Sequence, residues 1–393
     1  MPAITASPAL SHLRILDLTR VRSGPTCVKQ FADFGADVIK IEATVPEDFG
    51  SPRDSADFQN LHRNKRSLTL DLKKPEGRDV LMRLVKTADI VVENFRPDVK
   101  ARLGIDYESL RAANKRIILA SISGFGQDGP YRERPGLDQI AQGMSGIMSV
   151  TGAPGEGPMR AGAAVCDVTA GLLAALGIMT ALLERERSGE GQWVQSTLLQ
   201  AGLQLLDFQA ARYTMSGEVP AQVGNDHPTN VPTSVYTTSD GYLSVAATGD
   251  VFWKRLCDVI GRPDMYADPD FVDNASRAKN RKALNDNINS ALKTKTTAEW
   301  VQILNAAEIP CGPIYKMDQV FADEQMRHLH VTSDVAHPRL GTLTILSQMA
   351  TLTRTPGAVK TASPERGANT DEVLREAGYS EAEIAKLHEQ KIV

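Results

Sequence analysis

Short apolar runs alternate with amphipathic stretches along the N-terminal third of the chain, and this alternation restricts the fold more than any other feature. Residues 13–18 (LRILDL), 37–42 (DVIKIE), 67–72 (SLTLDL), 89–93 (DIVVE) and 116–121 (RIILAS) have the length and composition of strands. Between them, Gly24 and Pro25 open a helical stretch to about Phe34. Residues 75–87 read as a helix with Pro75 in its first turn and Val80, Leu81, Leu84 and Val85 on one face. Strands alternating with helices predict an α/β fold: a doubly wound, mostly parallel, Rossmann-like sheet with helices on both faces. In such sheets a ligand binds beyond the carboxyl ends of the strands. The loops expected there are 19–25 (TRVRSGP), 94–97 (NFRP) and 123–130 (SGFGQDGP).

Further along, a long helix runs from Val168 and another helical stretch covers residues 198–215. Residues 216–233 are rich in Gly, Pro, Asn and Thr and read as a linker. Residues 234–238 and 242–248 form a hairpin turning at Asp240 and Gly241, and helical stretches follow at 251–261, 280–295 and 297–308. The expected division is a large α/β domain begun by residues 1–215, a linker at 216–233 and a smaller α+β domain at 234–325. Residues 326–393 then return to complete the large domain, with a strand at 340–346 and two short helices, the last opened by a capping box of Ser380 and Glu383.

Composition removes several functional classes. A formal net charge of −4 argues against a nucleic-acid partner. Cys27, Cys166, Cys257 and Cys311 are scattered, with no CxxC and no His at ligand spacing, which predicts no metal site and a reduced compartment. Residues 1–10 have no basic region followed by an apolar core, so no signal peptide is expected. The apolar run 168–183 is short for a membrane span and ends in 184–187 (ERER), so it reads as a buried helix. The expectation is a cytoplasmic protein with no membrane partner.

The segment 162–171 (GAAVCDVTAG) places one carboxylate, Asp167, at the entrance to the long helix, after the Gly- and Pro-rich stretch 152–158. A carboxylate there can be an N-cap, accepting from a free first-turn N–H, or a nucleophile held in an anion-friendly field, and with two oxygens it can be both. Cys166 beside it is either a reactive thiol or a small buried residue at the helix entrance. No G-x-G-x-x-G follows the first strand, and no G-x-x-x-x-G-K-[ST] or G-x-S-x-G occurs, which disfavours the usual nucleotide and serine-hydrolase sites. Basic residues cluster at strand ends: Arg63, Lys65 and Arg66 before one strand, Lys73 and Lys74 after it, and Arg96, Lys100 and Arg102 after the next. They are either an anion-holding edge or a solvated rim.

Taken together, residues 13–42, 64–73 (NKRSLTLDLK), 92–104 (VENFRPDVKARLG), 123–130, 167–171, 309–313 (IPCGP) and 369–372 (NTDE) resemble the class III CoA transferases, the family of formyl-CoA and crotonobetainyl-CoA transferases. The resemblance covers nearly the whole chain in order. It implies an Asp nucleophile at Asp167 and a reaction in which that carboxylate attacks an acyl-CoA thioester, becomes an aspartyl-CoA thioester, and passes CoA to a second acid. No permanent cofactor is implied; CoA and acyl-CoA enter as substrates. By the same resemblance the CoA-binding positions fall on Val21, Arg22 and Ser23; on Leu70, Asp71, Leu72 and Lys73; on Asn94, Phe95 and Arg96; on Arg102; and on Pro135, Gly136, Leu137 and Asp138. An interlocked homodimer is implied as well, two open rings threaded through each other.

The chain departs from the family pattern in places. Arg22 stands where formyl-CoA transferase has Gln, Ala43 where an Arg often follows the second strand, and Leu137 where a Tyr precedes the acidic residue. The glycine-run loop is replaced by residues 245–250 (VAATGD). These changes turn the expectation away from formate and oxalate. A guanidinium at Arg22 either pairs with the distal carboxylate of a dicarboxylyl group such as succinyl, or touches a CoA phosphate and shapes its loop. Two other activities fit less well. A 2-methylacyl-CoA racemase of the same fold needs a His base where residues 136–138 read GLD, and a catalytically silent CoA-binding protein has no positive feature in its favour.

Overall fold

The computed structural model describes residues 6–45 and 50–393. Residues 1–5, part of the stretch read above for a leader, lie outside the described residues. Strands β1 (Arg14–Asp17), β2 (Asp37–Glu42), β3 (Lys65–Thr69), β4 (Ile90–Glu93) and β5 (Ile118–Ser123) lie at or within a few residues of the five apolar runs. A sixth, β6 (Trp193–Thr197), was not expected: its WVQST sequence is largely polar and only its last two residues are buried. The sheet has the order β3-β2-β1-β4-β5-β6, and every pairing in it is parallel.

Among the described residues up to 216 the helices are α1 (Ser23–Asp33), α2 (Ala56–His62), α3 (Pro75–Val85), α4 (Pro97–Leu103), α5 (Tyr107–Ala113), α6 (Asp138–Met144), α7 (Ile147–Val150), α8 (Val165–Ser188), α9 (Leu198–Leu206) and α10 (Phe208–Ser216). The stretch 198–215, expected as one helix, breaks at Asp207, whose φ is 41°. Successive strand side chains point to opposite faces, and the two faces build two cores. Ile15, Val38, Ile90, Val92 and Ile118 pack with Val28 and Phe31 of α1 and Ala170, Ala174 and Ile178 of α8. Leu16, Ile39, Leu68, Val91 and Leu119 pack on the other side with Leu81 and Leu84 of α3 and with Leu374 and Leu387 of the C-terminal helices Thr370–Glu376 and Glu381–Glu389. The second of these carries the capping box of Ser380 and Glu383.

Two compact units emerge, one of Met1–Ile147, Arg160–Gly217 and Leu329–Val393, the other of Met148–Met159 and Glu218–His328. Residues 148–159, expected in the larger unit, group with the smaller one. This stretch has no apolar face to bury in the sheet, and the Gln222 side chain donates to the carbonyls of Thr151 and Gly157. The smaller unit is a sheet of β7 (Thr233–Thr237), β8 (Tyr242–Ala246) and β9 (Cys311–Pro313) over a core of Tyr236, Leu243, Trp253, Leu284 and Trp300.

Two expectations need correction. The helix read from Val168 begins at Val165 and spans 24 residues, long and apolar enough by those measures to cross a bilayer. Nor is it buried all round: Ala170, Gly171, Ala174 and Ile178 face the core, while Val168, Leu172, Leu176 and Leu183 are exposed. Arg63, just before β3, and Lys65 and Arg66, its first two residues, form neither an anion-holding edge nor a solvated rim. Arg63 pairs with Asp33, Lys65 with Asp17, and Arg66 with Asp37 and Glu376, all three cations being buried. Lys100 is likewise buried against Glu93. Desolvating a cation in this way requires a counter-charge, and acidic residues on the preceding strand–helix units, with Glu376 of the C-terminal helix Thr370–Glu376, supply it.

The Asp17–Lys65 pair, at 2.8 Å with neither side chain exposed, yields a stability prediction. Burial alone would lift the Asp17 carboxyl, but Lys65 and Lys40 pull it below its ordinary range. Lys65→Met strands that carboxylate and should cost about 3–5 kcal/mol at neutral pH. Without Lys65 the Asp17 pKa rises, so the deficit should shrink as pH falls and Asp17 takes up a proton. Urea unfolding at pH 7 and pH 5 reads both effects, and a loss under about 1 kcal/mol at pH 7 would contradict the assignment.

Candidate active site

The strand order reverses direction between β1 and β4, and the loops leaving their carboxyl ends flank the crevice where such sheets bind ligands. Those two loops are tied together. Asn94 Oδ1 accepts from the Arg20 N–H at 2.9 Å, Asn94 Nδ2 donates to the Arg20 carbonyl at 2.7 Å, and the Arg20 guanidinium lies over the Phe95 ring. The β1 loop is held from beneath as well. Thr19 donates through both its N–H and its hydroxyl to Asp17 Oδ1, and its carbonyl accepts from Lys40 Nζ at 3.1 Å. Directly after this clamp Val21 sits at φ 62°, a left-handed conformation that costs a β-branched residue on the order of 1–3 kcal/mol. The loop then enters α1 at Ser23.

Helix α8 approaches that entrance closely because residue 171 is glycine. A Cβ added there would stand 2.5 Å from the Ser23 carbonyl oxygen and 3.0 Å from Thr26 Cβ. One turn nearer the N-terminus of α8, Asp167 therefore comes beside Ser23. Asp167 is half-buried. Burial and the Asp138 carboxylate push its pKa up to about 6, against the opposing pull of Arg22 and a hydrogen bond from the Ser23 side chain. Arg22 also pairs with Asp57 of α2 at 2.8 Å.

Asp167 is not the N-cap of α8. Asp167 is the third residue of the helix, the N-cap position is Ala164, and no side chain of that residue closes the turn. The capping acceptor comes from α6: Asp138 Oδ1 accepts from the N–H of Cys166 at 2.9 Å and of Asp167 at 3.1 Å. Asp138 Oδ2 accepts in turn from Gln142 Nε2 at 2.5 Å. Cys166 is buried, and burial with the neighbouring carboxylates lifts its thiol to about 11, which leaves it protonated and inert at neutral pH.

The fold thus brings Val21, Arg22, Ser23, Asp138 and Asp167 to one place, with Asn94 and Phe95 beside Arg20 on the adjoining loop. Arg96 is exposed and paired with Asp98, and Arg102 is exposed on the last turn of α4. Leu70 is a core residue, while Asp71 donates its N–H to the Ile392 carbonyl. Together with Leu72 and the exposed Lys73 they follow β3, two strands or about 10 Å from β1 across the sheet. Pro135 and Leu137 are exposed, and Gly136 packs against Gly124. Two residues of the site escaped the sequence. Gln142 was signalled only by its i,i+4 spacing from Asp138, and Asp57 by nothing local. Among the described residues no group of three or more His, Cys, Asp or Glu converges as metal ligands would.

The chain is similar to known proteins along nearly its whole length. A family model described as CoA-transferase family III matches residues 10–370. The chain is 38% identical to the succinate–glutarate CoA-transferase of Agrobacterium fabrum, covering 94% of this chain and 96% of that protein. It is 37% identical to the formyl-CoA:oxalate CoA-transferase of a Bradyrhizobium species, over 97% and 96% of the two chains. The crystal structure of a CAIB/BAIF family protein from Brucella suis superposes with a TM-score of 0.82 at 33% identity, covering 94% of this chain and 99% of that one.

Proposed function

The chain belongs to CoA-transferase family III, whose members act on acyl-CoA and carboxylate substrates, and on that premise we propose that it moves CoA between two organic acids through a covalent thioester on Asp167. The observation that carries the reading is the state of Asp167. It is half-buried, relieved of capping by Asp138, flanked by Ser23 and Arg22 at the crevice, and lifted to about 6. At pH 7 such a carboxyl is still ionised about ten to one, and it is a better nucleophile than an ordinary aspartate because it is more basic.

Four exchanges complete the cycle. An Asp167 oxygen attacks the thioester carbonyl, the C–S bond breaks, and a mixed anhydride forms with release of CoA thiolate. The thiolate attacks the Asp167 carbonyl of the anhydride, giving aspartyl-CoA and the donor acid. The acceptor carboxylate then attacks aspartyl-CoA and expels the thiolate, which attacks the acceptor carbonyl and frees Asp167. Thioester energy is retained throughout provided that water is kept from the anhydride.

Arg22 supports a dicarboxylyl group as cargo. Its guanidinium lies near enough to Asp167 to oppose the rise in its pKa, and it already holds one carboxylate, that of Asp57. With five donors it can take the distal carboxylate of a succinyl-like group in the same manner. The A. fabrum relative, named for succinate and glutarate, points the same way. The exposed stripe of Val168, Leu172, Leu176 and Leu183 on α8 supports assembly of two copies, since so continuous an apolar face on a long helix is ordinarily covered.

Three measurements test this reading. Incubation with succinyl-CoA followed by hydroxylamine or borohydride trapping should modify Asp167 alone, as read by peptide mass, and Asp167→Asn should stay blank. Blank wild-type protein with every acyl donor tried would leave only a CoA-binding role. Arg22→Gln should raise KM for dicarboxylates far more than for monocarboxylates; equal loss on both would assign Arg22 to CoA or to the loop. Light scattering at micromolar concentration should give the mass of two chains, and a monomer would overturn the assembly.

A further inference from the structure

Helix α8 begins in an unusual way. The first N–H groups of a helix have no partner within it, and a Ser, Thr, Asp or Asn side chain at the N-cap normally accepts from one of them. Here the N-cap is Ala164, which has no such atom. The Val165 N–H turns back to the Ala163 carbonyl at 2.9 Å, and the next two, of Cys166 and Asp167, both point at Asp138 Oδ1. Asp138 is buried at the first residue of α6, so one carboxylate sits at the start of two helices. Gln142, fully buried one turn further along α6, braces the arrangement. Its Nε2 donates to Asp138 Oδ2 and to the Ala163 carbonyl, and its Oε1 accepts from the Ala161 N–H at 2.9 Å. Arg160, largely exposed, approaches Asp138 only to 4.0 Å.

We propose that Asp138, expected from the family resemblance at a CoA-binding position, is instead a positioning residue of the transfer reaction: buried with both oxygens engaged, its carboxylate is the N-cap that α8 lacks, and it sets both the place and the charge environment of the nucleophile Asp167. The inference rests on Asp167 being the nucleophile. An aspartate capping its own helix would have an oxygen committed to the backbone and would be stabilised as an anion, hence less basic. Moving the cap to a second carboxylate keeps the Asp167 oxygens clear of the backbone, with Ser23 as their hydrogen-bond donor, and sets a like charge beside them. The groups that face Asp167 are Asp138 from α6, Ser23 and Arg22 from the entrance to α1, and Cys166 next to it in α8. Asp57 and Arg160 stand behind Arg22 and Asp138 respectively.

The test uses Asp138→Asn and Asp138→Ala in the full-length enzyme. Asparagine keeps an oxygen for the two N–H groups, loses the charge, and replaces the acceptor of the Gln142 Nε2 hydrogen bond with an NH2 group. Asp138→Asn should fold, form the Asp167 adduct, and keep the KM for acyl-CoA. The acid limb of its kcat/KM profile should move to lower pH by on the order of half a unit or more, because an Asp167 with no like charge beside it ionises more readily. Asp138→Ala also loses the cap, and kcat should fall on the order of tenfold to a hundredfold with little change in KM for acyl-CoA. In the wild type, the amides of Cys166 and Asp167 should exchange with deuterium slowly. An unmoved acid limb in Asp138→Asn, a raised KM for acyl-CoA with unaltered kcat, or fast exchange at those two amides would each overturn the role given to Asp138. A blank Asp167 trap in wild-type protein would instead remove the nucleophile reading on which the proposal stands.

Discussion

The Asp17 carboxylate and the Lys65 ammonium meet at 2.8 Å beneath the loop that leads to Ser23, and neither is exposed to water. Taking two ions out of water costs several kcal/mol for each, and mutual attraction offsets this only when the remaining donors and acceptors are also satisfied. That condition shapes the loop. The free oxygen of Asp17 takes both donors of Thr19, the ammonium reaches His62 Nδ1 at 3.2 Å, and Lys40 takes the Thr19 carbonyl. A threonine held at N–H, hydroxyl and carbonyl cannot turn. The left-handed Val21 two residues later is tolerable because the chain before it is fixed in this way and the chain after it is already α1.

From that anchor the site is assembled by contact between elements. Thr19 and the start of α1 fix Ser23, the absent side chain of Gly171 lets α8 come up against Ser23, and Asp138 closes the first turn of α8 from α6. Asp138 and Asp167 are chemically the same residue, each in the first turn of a helix, yet their surroundings differ. Asp138 is buried and accepts from two backbone N–H groups and an amide, whereas Asp167 is half-buried, has a like charge for a neighbour, and retains proton affinity near neutral pH. Geometry divides the labour between them.

How much of this was legible in the sequence follows from the range of the interactions involved. Strands β1 to β5 and helix α3 were readable because apolar periodicity is local, and β2 was placed to the residue. β6 was not, since WVQST becomes a strand only by pairing with β5. The partners of Arg63, Lys65 and Arg66 lie 30, 48 and 29 residues upstream, so charge alone made them look like a surface cluster. Asp167 could be singled out from its place at the start of a long apolar helix, but whether it capped that helix could not be read there, because the cap is Asp138, arriving from 28 residues away. Gly171 shows the same limit, for only packing against α1 gives that glycine its meaning.

Helical glycines are customary targets for hardening an enzyme against heat, since alanine in a helix interior gains about 1 kcal/mol. At Gly171 that rule inverts, because the added methyl would meet a backbone oxygen, which cannot rotate aside as a side chain can. A lineage or a designer raising the melting point through this residue would have to widen the gap between α1 and α8, and would obtain a tougher protein in which Ser23 no longer reaches Asp167. The missing methyl works as a spacer gauge, and thermal tolerance in this fold has to be sought at other positions.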